Sequence, residues 1–135
     1  MKSIAPYLVF KTECREAMTF YQKCFGGSLE LKTYAEAPPN ACPGDIGDKN
    51  LIMHAALKND GFTLLGSDNP SGKSSSGGNI QLSVSCDSRE EVDRLFQQLS
   101  EGGKALMPLE DTFWGARFGM VADKYGIQWM LSSPH

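Results

Sequence analysis

Few side chains in this sequence have the chemistry to hold or transform a small molecule, and they are spread along it. His54 is one of two histidines, the other being His135. An imidazole titrates near neutrality and could serve as a general base. No Ser, Cys or carboxylate stands at a spacing that completes a catalytic set, so the competing role is structural or pocket-lining. Arg117 lies between Gly115 and Gly119, and glycines beside a guanidinium leave room for an anionic ligand group. Its competing role is an ion pair with Asp111, Glu110 or Asp123. Asn79, Gln81, Ser83 and Ser85 alternate with Ile80, Leu82, Val84 and Cys86. A strand here has one polar face, suited to a wet pocket or to bulk solvent, and one apolar face that packs on helices. Trp114 offers a flat stacking surface, while Met130, sharing a face with Gln128 and Ser132, offers a soft and polarizable one. The ligand-binding candidates are therefore His54, Asn79, Gln81, Trp114, Arg117 and Met130, with no catalytic residue assigned.

Several chemistries are disfavoured. The four cysteines, Cys14, Cys24, Cys42 and Cys86, include no Cys-x-x-Cys pair, so neither a zinc site nor a redox motif is signalled. Reduced, mostly buried thiols are expected. The run Asn69-Pro-Ser-Gly-Lys-Ser-Ser-Ser-Gly-Gly78 superficially resembles a phosphate-binding loop. That motif needs a glycine five residues before its Gly-Lys-Ser, where this chain has Ser67, and a helix must follow. A net charge of −3 argues against a nucleic-acid or anionic-membrane surface. No apolar run approaches the roughly 20 residues of a membrane span. The first residues lack a signal-peptide core, which makes the cytoplasm the expected location.

The elements that must position these side chains fall into two similar sets. The first has an apolar strand at residues 7–10, then a helix over 13–25 with Ala17, Phe20, Tyr21, Cys24 and Phe25 at helical spacing. Gly26-Gly27 ends that helix, and three strands follow at 28–34, 51–57 and 62–67. Tyr7, Phe20, Tyr21 and Phe25 read as core. The second set has a strand at 80–86 and a helix that Ser88 and Glu91 open as a capping box. Val92, Leu95, Phe96 and Leu99 form its apolar stripe. Gly102-Gly103 ends it, and strands follow at 104–109, 114–122 and 127–131. The pattern of strand, helix, Gly-Gly and three strands thus occurs twice, which signals an internal duplication. The 135 residues make a single domain, with unit one at 1–68, a linker at 69–78 and unit two at 79–135.

Specific stretches carry a family likeness. They are Pro6-Tyr-Leu-Val-Phe10, Glu16-Ala-Met-Thr-Phe-Tyr21, Phe25-Gly-Gly27, Met53-His-Ala55, Ser67-Asp68, Pro70-Ser-Gly72, Asp111-Thr-Phe-Trp-Gly115, Phe118-Gly119, and Asp123-Lys-Tyr-Gly126 through Trp129-Met130. On these the chain resembles the PhnB-like branch of the glyoxalase, bleomycin-resistance and extradiol-dioxygenase superfamily, also called vicinal oxygen chelate. The resemblance implies an α+β fold of two βαβββ units forming a cupped, partly open mixed β-barrel with helices outside, and a homodimer. Metal-dependent members carry two His-or-Gln and two Glu ligands on the first and last strands of each unit. Carried over, those positions fall at or near Pro6, near Gly66 with Ser67 and Asp68 beside it, at Asn79 and at Met130. This set lacks the imidazole and carboxylate donors that hold a divalent ion, so no metal and no cofactor is expected.

Three functions follow from the resemblance. The first is a metal-free protein that binds a small-molecule ligand, as the bleomycin-resistance relatives do. The second is a lyase- or dioxygenase-like enzyme acting on a small oxygenated metabolite, metal-assisted or using His54. The third is a structural or interaction module with a vestigial pocket. PhnB-like sequences often carry the label of a ubiquinone-pathway methyltransferase, but no glycine-rich nucleotide loop follows a strand here.

Overall fold

The computed structural model describes residues 3–36, 49–69 and 80–134. Asn79, Cys42 and most of the 69–78 linker lie outside the described residues. The chain divides into two compact units, Met1–Ser75 and Ser76–His135. Unit one runs β1 (Tyr7–Phe10), α1 (Cys14–Phe25), β2 (Ser28–Thr33), β3 (Ile52–Asn59) and β4 (Phe62–Asp68), with a short 3-10 turn at Tyr34–Glu36. Unit two runs β5 (Leu82–Ser85), α2 (Arg89–Ser100), β6 (Lys104–Asp111), β7 (Ala116–Ala122) and β8 (Gln128–Pro134). Each unit forms one mixed four-stranded sheet, ordered β1-β4-β3-β2 and β5-β8-β7-β6. In both, the first strand lies parallel to the last and the other pairs are antiparallel. The fold is α+β, with two open sheets and one helix packed on each. The duplication read from the sequence is therefore a duplication of topology.

Helical spacing sets the core of unit one. Cys14, Ala17, Met18, Tyr21 and Cys24 are buried along one face of α1, against Ala55, Leu57 and Leu64 of the sheet. Removing each large apolar side chain from water stabilises the fold by about 1.5–3 kcal/mol. Gly66 sits where a Cβ would stand 3.1 Å from Leu8 O of the neighbouring β1 and in ordinary contact, 3.5 Å, with Cys14 Sγ and Met18 Sδ of α1. In unit two, Val92, Leu95 and Leu99 of α2 are buried with Val121, Trp129 and Leu131 of the sheet. Gly119 of β7 admits α2 closely, since a Cβ there would be 2.9 Å from the Phe96 ring.

The helices begin differently. At α2 the Ser88 hydroxyl accepts from Glu91 N–H at 3.1 Å, and the Glu91 carboxylate accepts from Asp87 N–H at 3.0 Å. The Ser88 half of the capping box expected from the sequence is present, while the Glu91 side chain reaches one residue beyond the cap. Helix α1 has no side-chain cap of its own. Its Cys14 N–H donates instead to Asp68 Oδ1, 2.9 Å away at the end of β4.

Four local expectations are corrected. The strand expected from Trp114 starts at Ala116, because Phe113, Trp114 and Gly115 form the β6–β7 turn. Thr112 N–H donates to Ala116 O at 2.7 Å, Ala116 N–H donates to Thr112 Oγ1 at 3.0 Å, and Gly115 takes φ +91°. The strand expected from Ile80 starts at Leu82, where pairing with Trp129 of β8 begins. Ile80 lies beyond that ladder and is exposed rather than packed on α2. Tyr7, expected in the core, is also exposed, because β1 buries Phe10 instead. The last strand, expected to end at residue 131, continues to Pro134.

Cys14, Cys24 and Cys86 are buried. Burial pushes the Cys14 thiol up to about 12, with Asp68 adding to the shift, and pushes Cys86 up to about 11, with Glu91 adding. A thiol whose folded pKa is raised contributes stability fully below its ordinary value of 9.0 and loses it as pH rises through the folded value. The urea midpoint is expected to hold to about pH 8.5 and fall by pH 10.5, with much of the fall removed in the Cys14→Ala/Cys86→Ala variant. A variant that falls as steeply as the parent would contradict this cause.

Candidate functional site

In each sheet the helix covers one face, and the candidate chemistry divides between the two faces. In unit one, His54 lies on β3 in register with Lys32 of β2. It is half-buried, and its ring sits 6.4 Å from the Tyr7 ring at 40°. Among the described residues neither ring nitrogen has a hydrogen-bond partner. Nothing there fixes the tautomer or draws a proton from a nucleophile, as a general base requires.

Unit two brings three of the candidates into one sheet but not onto one face. Ser83 of β5 is in register with Met130 of β8, and Met130 with Met120 of β7, which is in turn paired with Met107 of β6. Met107 is paired between two register shifts of β6, and the partners in regular register, Ser83, Met130 and Met120, point to the same side of the sheet. This is the side opposite α2, because Trp129 and Leu131, the alternate residues of β8, are buried in the core. One row further along, Gln81 Nε2 donates to Gln128 Oε1 at 3.2 Å. Gln81 Oε1 is buried and has no hydrogen-bond partner among the described residues. A buried acceptor left without a donor costs about 1–3 kcal/mol, so this amide stands out among the described buried side chains.

Arg117 is placed on the other face. Its Nε donates to Asp93 Oδ1 of α2 at 2.8 Å and its Nη1 to Asp111 Oδ1 at 3.1 Å. Arg89 of α2 also bonds both Asp111 oxygens, at 3.1 and 3.2 Å. The hydrogen bond to Asp93 raises the already high guanidinium pKa, and the bond to Asp111 adds to this. Of the ion-pair partners read from the sequence, Asp111 is present. Asp93 was missed, because its approach depends on how α2 packs across β7. The open space expected beside Arg117 is corrected at Gly119, which Phe96 and Leu109 closely approach. Gly115 does have open space, but it belongs to the turn. Arg117 thus ties α2 to β6 and β7.

Trp114 stands in the β6–β7 turn, 65% exposed, with its ring edge-on to Phe113 at 5.0 Å and 89°. It does not share the Met130 face as a strand residue. Asn79 lies outside the described residues. Met107 and Met120 were not among the candidates, because only strand register places them beside Met130.

The residues at the positions that hold a metal in metal-dependent superfamily members do not fit that role. Pro6 accepts from Leu65 N–H at 3.0 Å through its backbone and has no donor side chain. Asp68 is 2% exposed, and its two oxygens accept from Cys14 and Ile52 N–H, both at 2.9 Å. Met130 supplies a thioether where a carboxylate is needed. Among the described residues no group of three or more His, Cys, Asp or Glu could hold a metal ion. Nor is any helix among them long and apolar enough to cross a membrane.

Comparison with known proteins gives a consistent kinship. A family model described as 3-demethylubiquinone-9 3-methyltransferase matches residues 2–132. Protein YjdN of Escherichia coli is 35% identical over 138 residues, covering 96% of this chain and 93% of that protein. The crystal structure of protein PA1353 from Pseudomonas aeruginosa matches with a TM-score of 0.87 at 40% identity, covering 99% of this chain and 98% of that one. A PhnB protein from Bacillus cereus matches with a TM-score of 0.77 at 28% identity, covering 98% and 99%.

Proposed function

This chain belongs to the PhnB-like branch of the glyoxalase, bleomycin-resistance and extradiol-dioxygenase superfamily, and on that premise we propose that it is a small-molecule-binding protein that works without a bound metal ion. The observation that carries this reading is the state of Asp68. It is the carboxylate beside a ligand position of the metal-dependent members, and both its oxygens are taken by buried backbone N–H groups. Recruiting it to a metal would uncap α1 and strand Ile52 N–H. The polar and thioether face of unit two supports a binding role. Nothing comparable supports the enzymatic reading through His54, whose imidazole has no activating neighbour among the described residues. Methyl transfer is not proposed either. The connections from β1 to α1 and from β5 to α2, Lys11-Thr-Glu13 and Cys86-Asp87-Ser88, contain no glycine that would let the backbone approach a nucleoside methyl donor closely.

The reading includes a homodimer, for which the exposed Phe113–Trp114 pair offers an aromatic contact of the kind interfaces favour. The cupped, partly open barrel and the cytoplasmic location implied at the outset belong to the same proposal. Native mass spectrometry of the purified protein tests metal and assembly together. The expected species is a dimer at the mass of two bare chains, and a stoichiometric divalent ion would overturn the metal-free reading. Thermal-shift screening against a broad set of aromatic and anionic metabolites then tests binding. Stabilisation is expected for at least one class, and its loss in Gln81→Ala would place the ligand on unit two. Failure across the whole library would favour a structural or interaction module.

A further inference from the structure

We infer that the face of the unit-two sheet opposite α2 is a subsite for a fused-ring aromatic ligand carrying one hydroxyl or ring N–H donor. The inference rests on the binding reading above and names the ligand class. Its first support is geometric. Met130 and Met120 are regular register partners on β8 and β7, and Met107 of β6 pairs with Met120 between two register shifts, so two thioethers lie side by side and the third adjoins them. Two inter-strand spacings span about 10 Å, enough for a two-ring body to touch all three. Met120 and Met130 are half-buried and Met107 is 48% exposed. The row is therefore not consumed by the core beneath α2. Thioether sulfur is polarizable and favours contact with aromatic rings over saturated ones, and unbranched methionine adapts to varied outlines.

The second support is independent of the first. Gln81 Oε1, beside this row through the Gln128 contact, is a buried acceptor without a donor among the described residues. Gln81 as a residue is only half-buried, so its amide can turn to a ligand. An O–H or N–H at the edge of a ring lying on the methionines would satisfy that oxygen, whereas an ether or ketone would not. The guanidinium that could have favoured an anionic ligand, Arg117, is on the opposite face and held by Asp93 and Asp111.

The test uses 2-naphthol and 2-methoxynaphthalene, which share the ring body and differ in that a methyl group replaces the hydroxyl hydrogen, with the full chain labelled at its methionine methyl groups. In NMR titrations 2-naphthol is expected to shift the methyl signals of Met107, Met120 and Met130, identified by single Met→Leu variants. It should bind about tenfold more tightly than the methoxy compound, the worth of one well-made hydrogen bond. Gln81→Leu is expected to erase that preference while leaving the methoxy compound bound. Equal or tighter binding of the methoxy compound to the parent protein would overturn the donor assignment. Binding that leaves the three methyls unmoved would overturn the location. If both naphthalenes fail while another metabolite class stabilises the protein, this inference falls and the binding reading stands. If no class binds, both fall.

Discussion

Asp68→Ala is expected to destabilise the protein by about 3 kcal/mol, lowering the melting temperature by roughly 10 °C. The carboxylate is 2% exposed and has no basic partner in an ion pair among the described residues. It accepts from two buried donors, the first N–H of α1 and the N–H that opens β3. Alanine would remove a helix cap, worth about 1 kcal/mol, and leave both donors unmet in the interior at about 1–3 kcal/mol each. Relaxation of the chain recovers part of that sum. Asp68→Asn should fall between the two proteins, because one amide oxygen can still accept while the new NH2 opposes the other donor. Urea unfolding of the three proteins gives the order directly. A loss below about 1 kcal/mol for the alanine variant would show that this carboxylate does not join α1 to the sheet, and the argument that Asp68 is unavailable to a metal would weaken with it.

Gly27→Ala is expected to cost about 3 kcal/mol or more, for two separate reasons. Gly27 has φ +106°, a conformation that L side chains rarely adopt, and its Cβ would stand 2.5 Å from the Lys58 carbonyl oxygen and 3.2 Å from Asn59 Cβ. The backbone strain alone is worth about 1–2 kcal/mol, and overpacking typically adds 1–3 kcal/mol. The carbonyl belongs to the paired strand β3, so it cannot swing aside as a long side chain would. Gly61→Ala is the control. Its Cβ meets nothing within 4 Å, and Gly61 has no positive φ, so the change should be neutral or mildly stabilising through the unfolded chain. Thermal denaturation of both variants separates local space from a general intolerance of alanine. Equal stability of the two would remove the steric account of the Gly-Gly signal.

That signal illustrates how much of the fold was legible beforehand. Paired glycines after two amphipathic stretches ended both helices where expected, because a helix terminus is a local event decided by residues a few positions apart. Gly26 has φ +75° and Gly102 φ +77°, positive values open to glycine because it has no Cβ, and Gly26 pairs its φ with an extended ψ of −173° rather than the left-handed helical cap. The second glycine of each pair has a tertiary reason that the local pattern did not reveal. A Cβ at Gly103 would run into Ala122 O just as one at Gly27 would meet Lys58 O. The capping box at Ser88 was equally local and equally readable. The cap of α1 was not, since its acceptor lies 54 residues away in sequence.

The candidate site divides along the same line. Alternation correctly put Gln81 with Ser83, and Met130 with Gln128, because side-chain period within a strand is intrinsic to an extended backbone. Alternation also put Arg117 and Gly119 on one face, but it could not say which face the helix would cover. The ion pair with Asp93 settles that. Trp114 was counted into a strand because aromatic residues favour strands, and the Thr112–Ala116 hydrogen bonds made it part of a turn instead.

By itself, then, the sequence determined the element order, the duplication, the helix ends and the family, all of which rest on short-range pattern or on motif. Tertiary structure alone decided which strands adjoin and in what register. Register brought Met107, Met120 and Met130 into one row from three separate strands, withdrew Asp68 into backbone hydrogen bonds, and left a Gln81 oxygen unmet. Each is a relation between residues distant in the chain, and no local periodicity encodes which distant residue will be the partner.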